Sequence, residues 1–404
     1  LFTLYSGSRG VVITDTMMFL LFGVVSFVGL AFIVEASGGW FATIEALAVF
    51  EAKPGILSWH GMIGPGQTWE TPADVLIYSV ILGVAWSIVV AVSPWQASRY
   101  LMAKDEHTVI RSSVITAAVI MLLYIALGIA SAAVNLINPG IEPAQEVMVW
   151  AAMNAMPTFA GVLLMAGVMA AGLSSASTFL SVTGFSVSND IFIRSTQQDG
   201  ERLHDSRIAM LMVSVIALAL AYFVPQGYLY WIVYFVGTLF ASSWGPVAFM
   251  SVWSSRITEG GAFWGIIMGL VGNIFFNLID LLGLVDLPTA VNPILMGVLA
   301  SYITIEVVSR CGTVSEEEHG LRARLHETPE SEFDSGRLYG TLQWSKAFIV
   351  FGVLLAALLL VFYVIPFQNA IEGTFHESVS GVSGELILAV CIGIAVVICG
   401  ALAW

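Results

Sequence analysis

Charge is what this sequence has least of. Only 10% of its 404 residues are Asp, Glu, Lys or Arg, against about 25% in a soluble domain, whose surface has to be wetted. With 58% apolar residues and a mean hydropathy of +0.90, the chain has no means of covering itself in water. Cysteine is also scarce. Cys311, Cys391 and Cys399 are scattered and odd in number, and the last two lie inside an apolar run, where a small buried residue is the ordinary reading. No CxxC, HExxH, Walker-type or GxGxxG constellation occurs, so metal-centre, redox and nucleotide chemistry have no foothold and no organic cofactor is expected. The 14 basic residues form no groove for a nucleic acid. The net charge of −14 comes from acids gathered in loops, notably Glu316, Glu317, Glu318, Glu327, Glu330, Glu332 and Asp334, which read as a solvated segment.

What is abundant is apolar and aromatic: 24 Phe and 12 Trp suit helix packing and membrane interfaces. Runs of about 20 apolar residues are membrane-helix candidates. Ten are present, at roughly 8–34, 75–96, 112–135, 159–191, 207–225, 228–253, 261–284, 291–309, 346–366 and 385–404. Breakers such as Asn138-Pro139-Gly140 and Pro225-Gln226-Gly227 separate them. The chain therefore reads as an all-α integral membrane protein with the lipid bilayer as its solvent. Span four, at 1.5 Å per residue, is expected to be a long tilted helix of about 50 Å, or else to break near Gly184.

Threading the chain alternately through the membrane sorts the basic residues. Arg9, Arg99, Lys104, Arg111, Arg194, Arg202, Arg207, Arg256, Arg310, Arg322, Arg324, Arg337 and Lys346 fall on one side, and only Lys53 on the other. Basic residues stay in the cytoplasm, so the first side is expected to be cytoplasmic. The other side then carries loops 35–74, 136–158 and 367–384, the first of which, with Trp40, Trp59, His60 and Trp69, is a candidate external cap. All six histidines lie in loops or at span edges, which argues against a buried proton relay. Leu1 is not a methionine and residues 1–10 read as the end of a preceding element, so N-terminal sequence is expected to be missing.

Polar groups inside a bilayer are costly, and so they are informative. Span four holds Ser174, Ser175, Ser177, Thr178, Ser181, Thr183 and Ser186. Positions 171, 174, 175 and 178 share one helix face, as do 174, 177, 178 and 181. Stacked hydroxyl oxygens are ligands for a hard cation such as sodium. They are equally the residues that let helices pack closely while their hydroxyls bond the preceding turn. Asp15 in span one is either an interfacial carboxylate near Arg9 or the anion of a cation site completed by span four.

Several stretches, taken in order, resemble the sodium:solute symporter family. Leu4-Tyr5-Ser6-Gly7-Ser8-Arg9-Gly10-Val11-Val12-Ile13-Thr14-Asp15 is similar to its Gly-rich entry and Thr-Asp motif. Arg99-Tyr100-Leu101-Met102-Ala103-Lys104 resembles its cytoplasmic Gln-Arg-Tyr-Leu-x-x-Lys motif, with Ser98 in place of Gln. Met169-Ala170-Ala171-Gly172-Leu173-Ser174-Ser175, closing on Asn189-Asp190-Ile191-Phe192, is similar to its sodium-binding helix, and Gly245-Pro246 with Trp253 and Gly261-Ala262 to the pair that follows.

The resemblance implies a leucine-transporter-like inverted-repeat bundle and sodium-coupled symport of a small organic solute. It implies one transmembrane transporter domain over 1–404. Within it, 1–34 would be the last helix of a mostly missing first repeat and 75–253 the second repeat. Residues 261–404 would be additional helices with a cytoplasmic loop at 310–345. By position, Ala171 (carbonyl), Ser174 and Ser175 match the family's common sodium site. Asp15, Ser174, Ser177 and Thr178 match the second sodium site of some members. Trp86 and Ser87 on span two, beside the single interior glycine Gly83, and Tyr234 and Trp244 on span six are solute-pocket candidates, although aromatic core packing explains each of the rings as well. The rival reading is a symporter-like sensor domain of a signalling protein, which would need a soluble signalling region beyond the last span. No nucleophile–base pair supports an enzyme.

Overall fold

The computed structural model describes residues 2–191, 199–225, 228–285, 287–375 and 382–403, with the side chains of 2–9, 199–203, 331 and 375 left aside. The described residues are helical and form no strand. In chain order the helices are α1 (Phe2–Ala36), α2 (Trp40–Ala48), α3 (Pro72–Val92), α4 (Pro94–Leu101), α5 (Glu106–Ile137), α6 (Val147–Asn154), α7 (Thr158–Ser186) and α8 (Asp199–Phe223). They continue as α9 (Leu229–Trp253), α10 (Glu259–Leu281), α11 (Pro293–Arg310), α12 (Glu316–Leu325), α13 (Ser335–Leu359), α14 (Ile365–Phe375) and α15 (Gly384–Leu402).

Ten stretches among the described residues are long and apolar enough to cross a bilayer: 10–36, 72–92, 106–137, 158–191, 204–223, 229–253, 259–281, 293–310, 335–374 and 384–402. They are the ten apolar runs of the sequence. Three local differences have plain causes. Span two stops at Val92 instead of 96, because Pro94 starts the separate helix α4. Span four runs unbroken past Gly184, which is buried and leaves room for the Met210 side chain, then loosens into a π-turn at Val187–Ile191. Span nine begins at 335 rather than 346, since the polar residues Thr341 and Ser345 are buried against neighbouring helices.

The chain divides into two compact units. The first holds residues 1–63, 105–223 and 335–404. Its core gathers Ile33, Leu47, Ala130, Val134, Ile141 and Ala151. Here α2 and the loop after it are bonded to α5 and to the turn before α14. Pro366 has no N–H to give the Phe362 carbonyl one turn back, and that carbonyl accepts instead from Trp40 Nε1 at 2.8 Å. Tyr363 donates to the Leu57 carbonyl at 2.7 Å, and Lys53 Nζ reaches Asn135 Oδ1 at 2.7 Å. At the other end of α5, Arg337 pairs with Asp105 at 2.8 Å and Arg111 Nε donates to Thr341 Oγ1 at 3.0 Å. His107, at a span edge as expected, is nonetheless buried there, with Nδ1 2.9 Å from Thr341 Oγ1.

The second unit holds residues 64–104 and 224–334. Its helices approach closely through a four-residue period. The buried positions of α10 are Gly261, Gly265, Gly269, Asn273 and Asn277, and those of α11 include Pro293, Gly297, Ser301, Ile305 and Ser309. Side chains four apart line one helix face, and small ones let backbones touch. Pro246 inside α9 withholds an N–H from the Ser242 carbonyl, and Gly269 comes so near this carbonyl that a Cβ would overlap it. Asn273 Nδ2 donates to Ser242 Oγ at 3.1 Å, which in turn donates to the Thr238 carbonyl at 2.7 Å. The helix α3 runs without a break through Gly83, whose carbonyl accepts from Ser87 Oγ at 2.8 Å.

The acidic segment read as a loop contains the helix α12. Ser315 and Glu318 form a reciprocal capping box, with Glu316, Glu317 and Glu318 at the positive helix end and Arg322 and Arg324 at the negative one. Glu318 Oε2 accepts from the Ser315 N–H at 2.6 Å, and Oε1 from the Glu259 N–H of α10 at 3.1 Å. These bonds, the Ser315 N–H foremost, hold the Glu318 carboxyl below its ordinary value.

Two outcomes follow from this packing. Gly269→Val should destabilise the protein by about 2 kcal/mol or more, read as an earlier midpoint in a denaturing-detergent titration. Gly83→Ala, whose Cβ meets open space, should leave the midpoint unchanged or raise it. Because the folded state lowers the Glu318 pKa, its contribution is present above the ordinary carboxylate range and lost as pH falls through the folded value. Limited proteolysis of 312–334 should therefore accelerate below that range, and Glu318→Gln should be proteolysed quickly at neutral pH as well.

Candidate functional site

The candidate residues of spans one and four lie in the first unit, where α1 and α7 run antiparallel. Their spacing is set by glycine. A Cβ on Gly29 would touch Leu164, and one on Gly167 would overlap Val25 and press on the Phe22 backbone. Val25, Leu164 and Ala152 form a buried apolar cluster at this crossing. Following the same register toward the start of α1 brings Asp15 opposite Ser177 and Thr178.

There the carboxylate meets two hydroxyls. Ser177 Oγ lies 3.3 Å from Asp15 Oδ1, and Thr178 Oγ1 lies 3.2 Å from Asp15 Oδ2. Ser177 is buried at 3% exposure, while Asp15 and Thr178 are half-buried. Ser177 Oγ has a shorter bond, 2.8 Å, to the Ser174 carbonyl. A hydroxyl owns one proton, so Ser177 divides it between the Ser174 carbonyl and Asp15 Oδ1. Hydroxyl-to-carboxylate bonds are ordinarily 2.5–2.7 Å, so these two are long.

Three of the remaining hydroxyls take the packing role. Ser181 bonds the Ser177 carbonyl at 2.7 Å, and Thr14 and Thr16 bond carbonyls of their own helix at 2.8–3.0 Å, which is the packing role. Ala171, Ser174 and Ser175 follow one another on α7 within a little over one turn; Ala171 and Ser174 are half-buried and Ser175 is exposed. Arg9, the other partner considered for Asp15, has its side chain outside the described residues.

The four solute-pocket candidates all fall in the second unit without meeting in one cavity. Trp86 lays its ring on Gly237, where a Cβ would stand 3.3 Å from it. Ser87 bonds its own helix, as given above. Trp244 sits edge-on to Phe240 at 5.8 Å between ring centres. Tyr234 donates to Asn292 Oδ1 at 2.8 Å and lines a cavity at the other end of α9. Asn292, which also caps α11 by accepting from the Ile294 N–H at 3.1 Å, was missed in the sequence. An Asn directly before Pro293 at a span start was its available signal.

Among the described residues, ten helices long and apolar enough to cross a membrane, with a carboxylate–hydroxyl cluster between two of them, define a multi-pass membrane protein. The model of the sodium:solute symporter family matches residues 1–269, and the chain belongs to that family. It is 26% identical over 271 residues to the sodium/proline symporter of Salmonella typhimurium, covering 64% of this chain and 53% of that protein. The sodium/pantothenate symporter of Escherichia coli is 25% identical over 320 residues, 78% of this chain and 62% of that protein. The high-affinity proline transporter of Bacillus subtilis is 34% identical over 116 residues, 28% of this chain and 24% of that protein. The chain thus spans about half the length of the sodium/proline symporter it matches.

If glycine contacts rather than Asp15 set the α1–α7 spacing, stability and site chemistry are separable. Gly167→Leu should cost about 2 kcal/mol or more through overlap with Val25. Asp15→Asn and Thr178→Val should each change the unfolding midpoint by less than about 1 kcal/mol. A large loss in the Asp15→Asn protein, measured without sodium, would make the carboxylate a packing element.

Proposed function

We propose that the protein is a sodium-coupled symporter of a small organic solute, with a sodium ion held between α1 and α7. The observation that carries this reading is the pairing of both Asp15 oxygens with the hydroxyls of Ser177 and Thr178. A hard cation about 2.4 Å from two oxygens at a right angle keeps them about 3.4 Å apart, close to the separations at Asp15. Ser174 completes this site, with a second sodium ion held by the Ala171 carbonyl and the hydroxyls of Ser174 and Ser175. Sodium here is cargo, and the reading assigns the protein no bond-making chemistry.

Transport then proceeds by alternating access. Sodium enters from outside, favours the outward-open state, and leaves inward with the solute; it shifts the balance only by its differential affinity for the two states. The basic-residue side is the cytoplasmic one in this reading. The residues 1–34 and 75–253 are taken as the end of one inverted repeat and the whole of the other. Trp86, Ser87, Tyr234 and Trp244 are proposed to face the solute path from the second repeat. Proline and pantothenate, in the names of the relatives, indicate the size of solute.

Stoichiometry sets the driving force. A potential of about 100 mV contributes about 2.3 kcal/mol per ion and a tenfold gradient about 1.4. One ion then supports roughly 10²–10³-fold accumulation, and two roughly 10⁵-fold.

Solute uptake measured against sodium concentration tests the assignment. The Hill coefficient should exceed one and fall toward one in Asp15→Asn. Ser174→Ala and Ser175→Ala should raise the half-maximal sodium concentration by about tenfold, as loss of one ion ligand would. Sodium dependence unchanged in all three variants would return these side chains to helix packing.

A further inference from the structure

The second unit holds an aromatic cavity that the sodium site does not use. It has a volume of about 430 Å³ and lies where α3, α9 and α11 begin and α10 ends. Trp69, Tyr78, Tyr230, Trp231 and Tyr234 line it, with Asp280 at the end of α10. These ends lie away from the basic residues, on the side that the charge distribution assigns to the exterior.

The polar atoms of its wall are largely engaged. Tyr78 and Tyr230 share a hydrogen bond of 2.8 Å between hydroxyls, and Tyr234 is fixed on Asn292. Thr289, on the connection from α10 to α11, donates to Asp74 at 3.1 Å and ties that connection to α3. Trp69 stands 4.5 Å from the Tyr78 ring centre, and Tyr78 stacks with Tyr234 at 6.2 Å. The rings are therefore set before a ligand arrives, as a stacked aromatic wall whose Tyr78, Tyr230 and Tyr234 hydroxyls are already engaged.

That surface selects its ligand by elimination. Ring faces carry partial negative charge and attract cations, and Asp280 adds a full one. No Lys or Arg is among the described residues that line the cavity, so an organic anion would meet Asp280 with no basic side chain to offset it. A sugar would need the hydroxyl partners already spent within the wall. A bare metal ion needs several converging oxygens, and the volume is that of a small organic molecule. We propose that this cavity is an outer binding site for a substituted ammonium cation. The ligand's alkyl groups lie against Trp69, Tyr78 and Trp231, and its charge faces Asp280.

This proposal does not rest on sodium coupling, and its test is run without sodium. The full chain in maltoside micelles is titrated with choline, read by saturation-transfer NMR of the methyl protons. Saturable binding is expected at about 1–10 mM, with none for the neutral isostere in which carbon replaces nitrogen. Asp280→Asn and Trp69→Leu should each weaken binding by about threefold to tenfold, while Trp69→Phe, which keeps a ring, should retain it. Equal binding of the neutral isostere would make the cavity an apolar slot. That result, no saturation by choline, or wild-type affinity in Asp280→Asn would each overturn the proposal.

Discussion

A carboxylate carried on a membrane helix must be met by something, because hydrocarbon offers it no water. In this protein Asp15 is met by Ser177 and Thr178 of a helix running the other way. The meeting depends on how near the two backbones come. Gly167 against Val25 and Phe22, with Gly29 against Leu164, fixes both the spacing and the register of α1 on α7. One residue of slip on either helix would turn the hydroxyls about 100° away from the carboxylate. The apolar crossing is thus the device that aims the polar one.

The same economy of backbone contact recurs elsewhere. Helices in a bilayer gain nothing by burying apolar surface from lipid, so close approach and internal hydrogen bonds hold them together. Gly269 against the Ser242 carbonyl, with Asn273 bonding the Ser242 hydroxyl, is one case. Gly352 and Gly393, whose added Cβ atoms would each press on the other's carbonyl at 3.0–3.1 Å, are another. Proline serves in both units, by freeing a carbonyl four residues back. Near Pro366 that carbonyl takes Trp40 from the capping helix, and near Pro246 it takes a neighbouring backbone.

Spans were legible because length and apolarity are local properties, and all ten runs reappear as helices. Asp15 and the hydroxyls of α7 stood out because polar atoms are rare there. Apart from the meeting of Asp15 with span four, contact between distant segments could not be read. The Gly167–Val25 register, the docking of Trp40 on Phe362 and the attachment of α12 through Glu318 all join residues whose partners no period reveals. Gly83 shows the reverse: the single interior glycine of span two lies in a helix that continues through it.

Equilibrium binding of radioactive sodium to the purified protein, counted per molecule, tests the central claim most directly. Saturation near two ions in the wild type, near one in Asp15→Asn and near one in a Ser177→Ala, Thr178→Val double variant is the predicted result. Wild-type stoichiometry in both variants, with an unchanged unfolding midpoint, would contradict a sodium ion between α1 and α7.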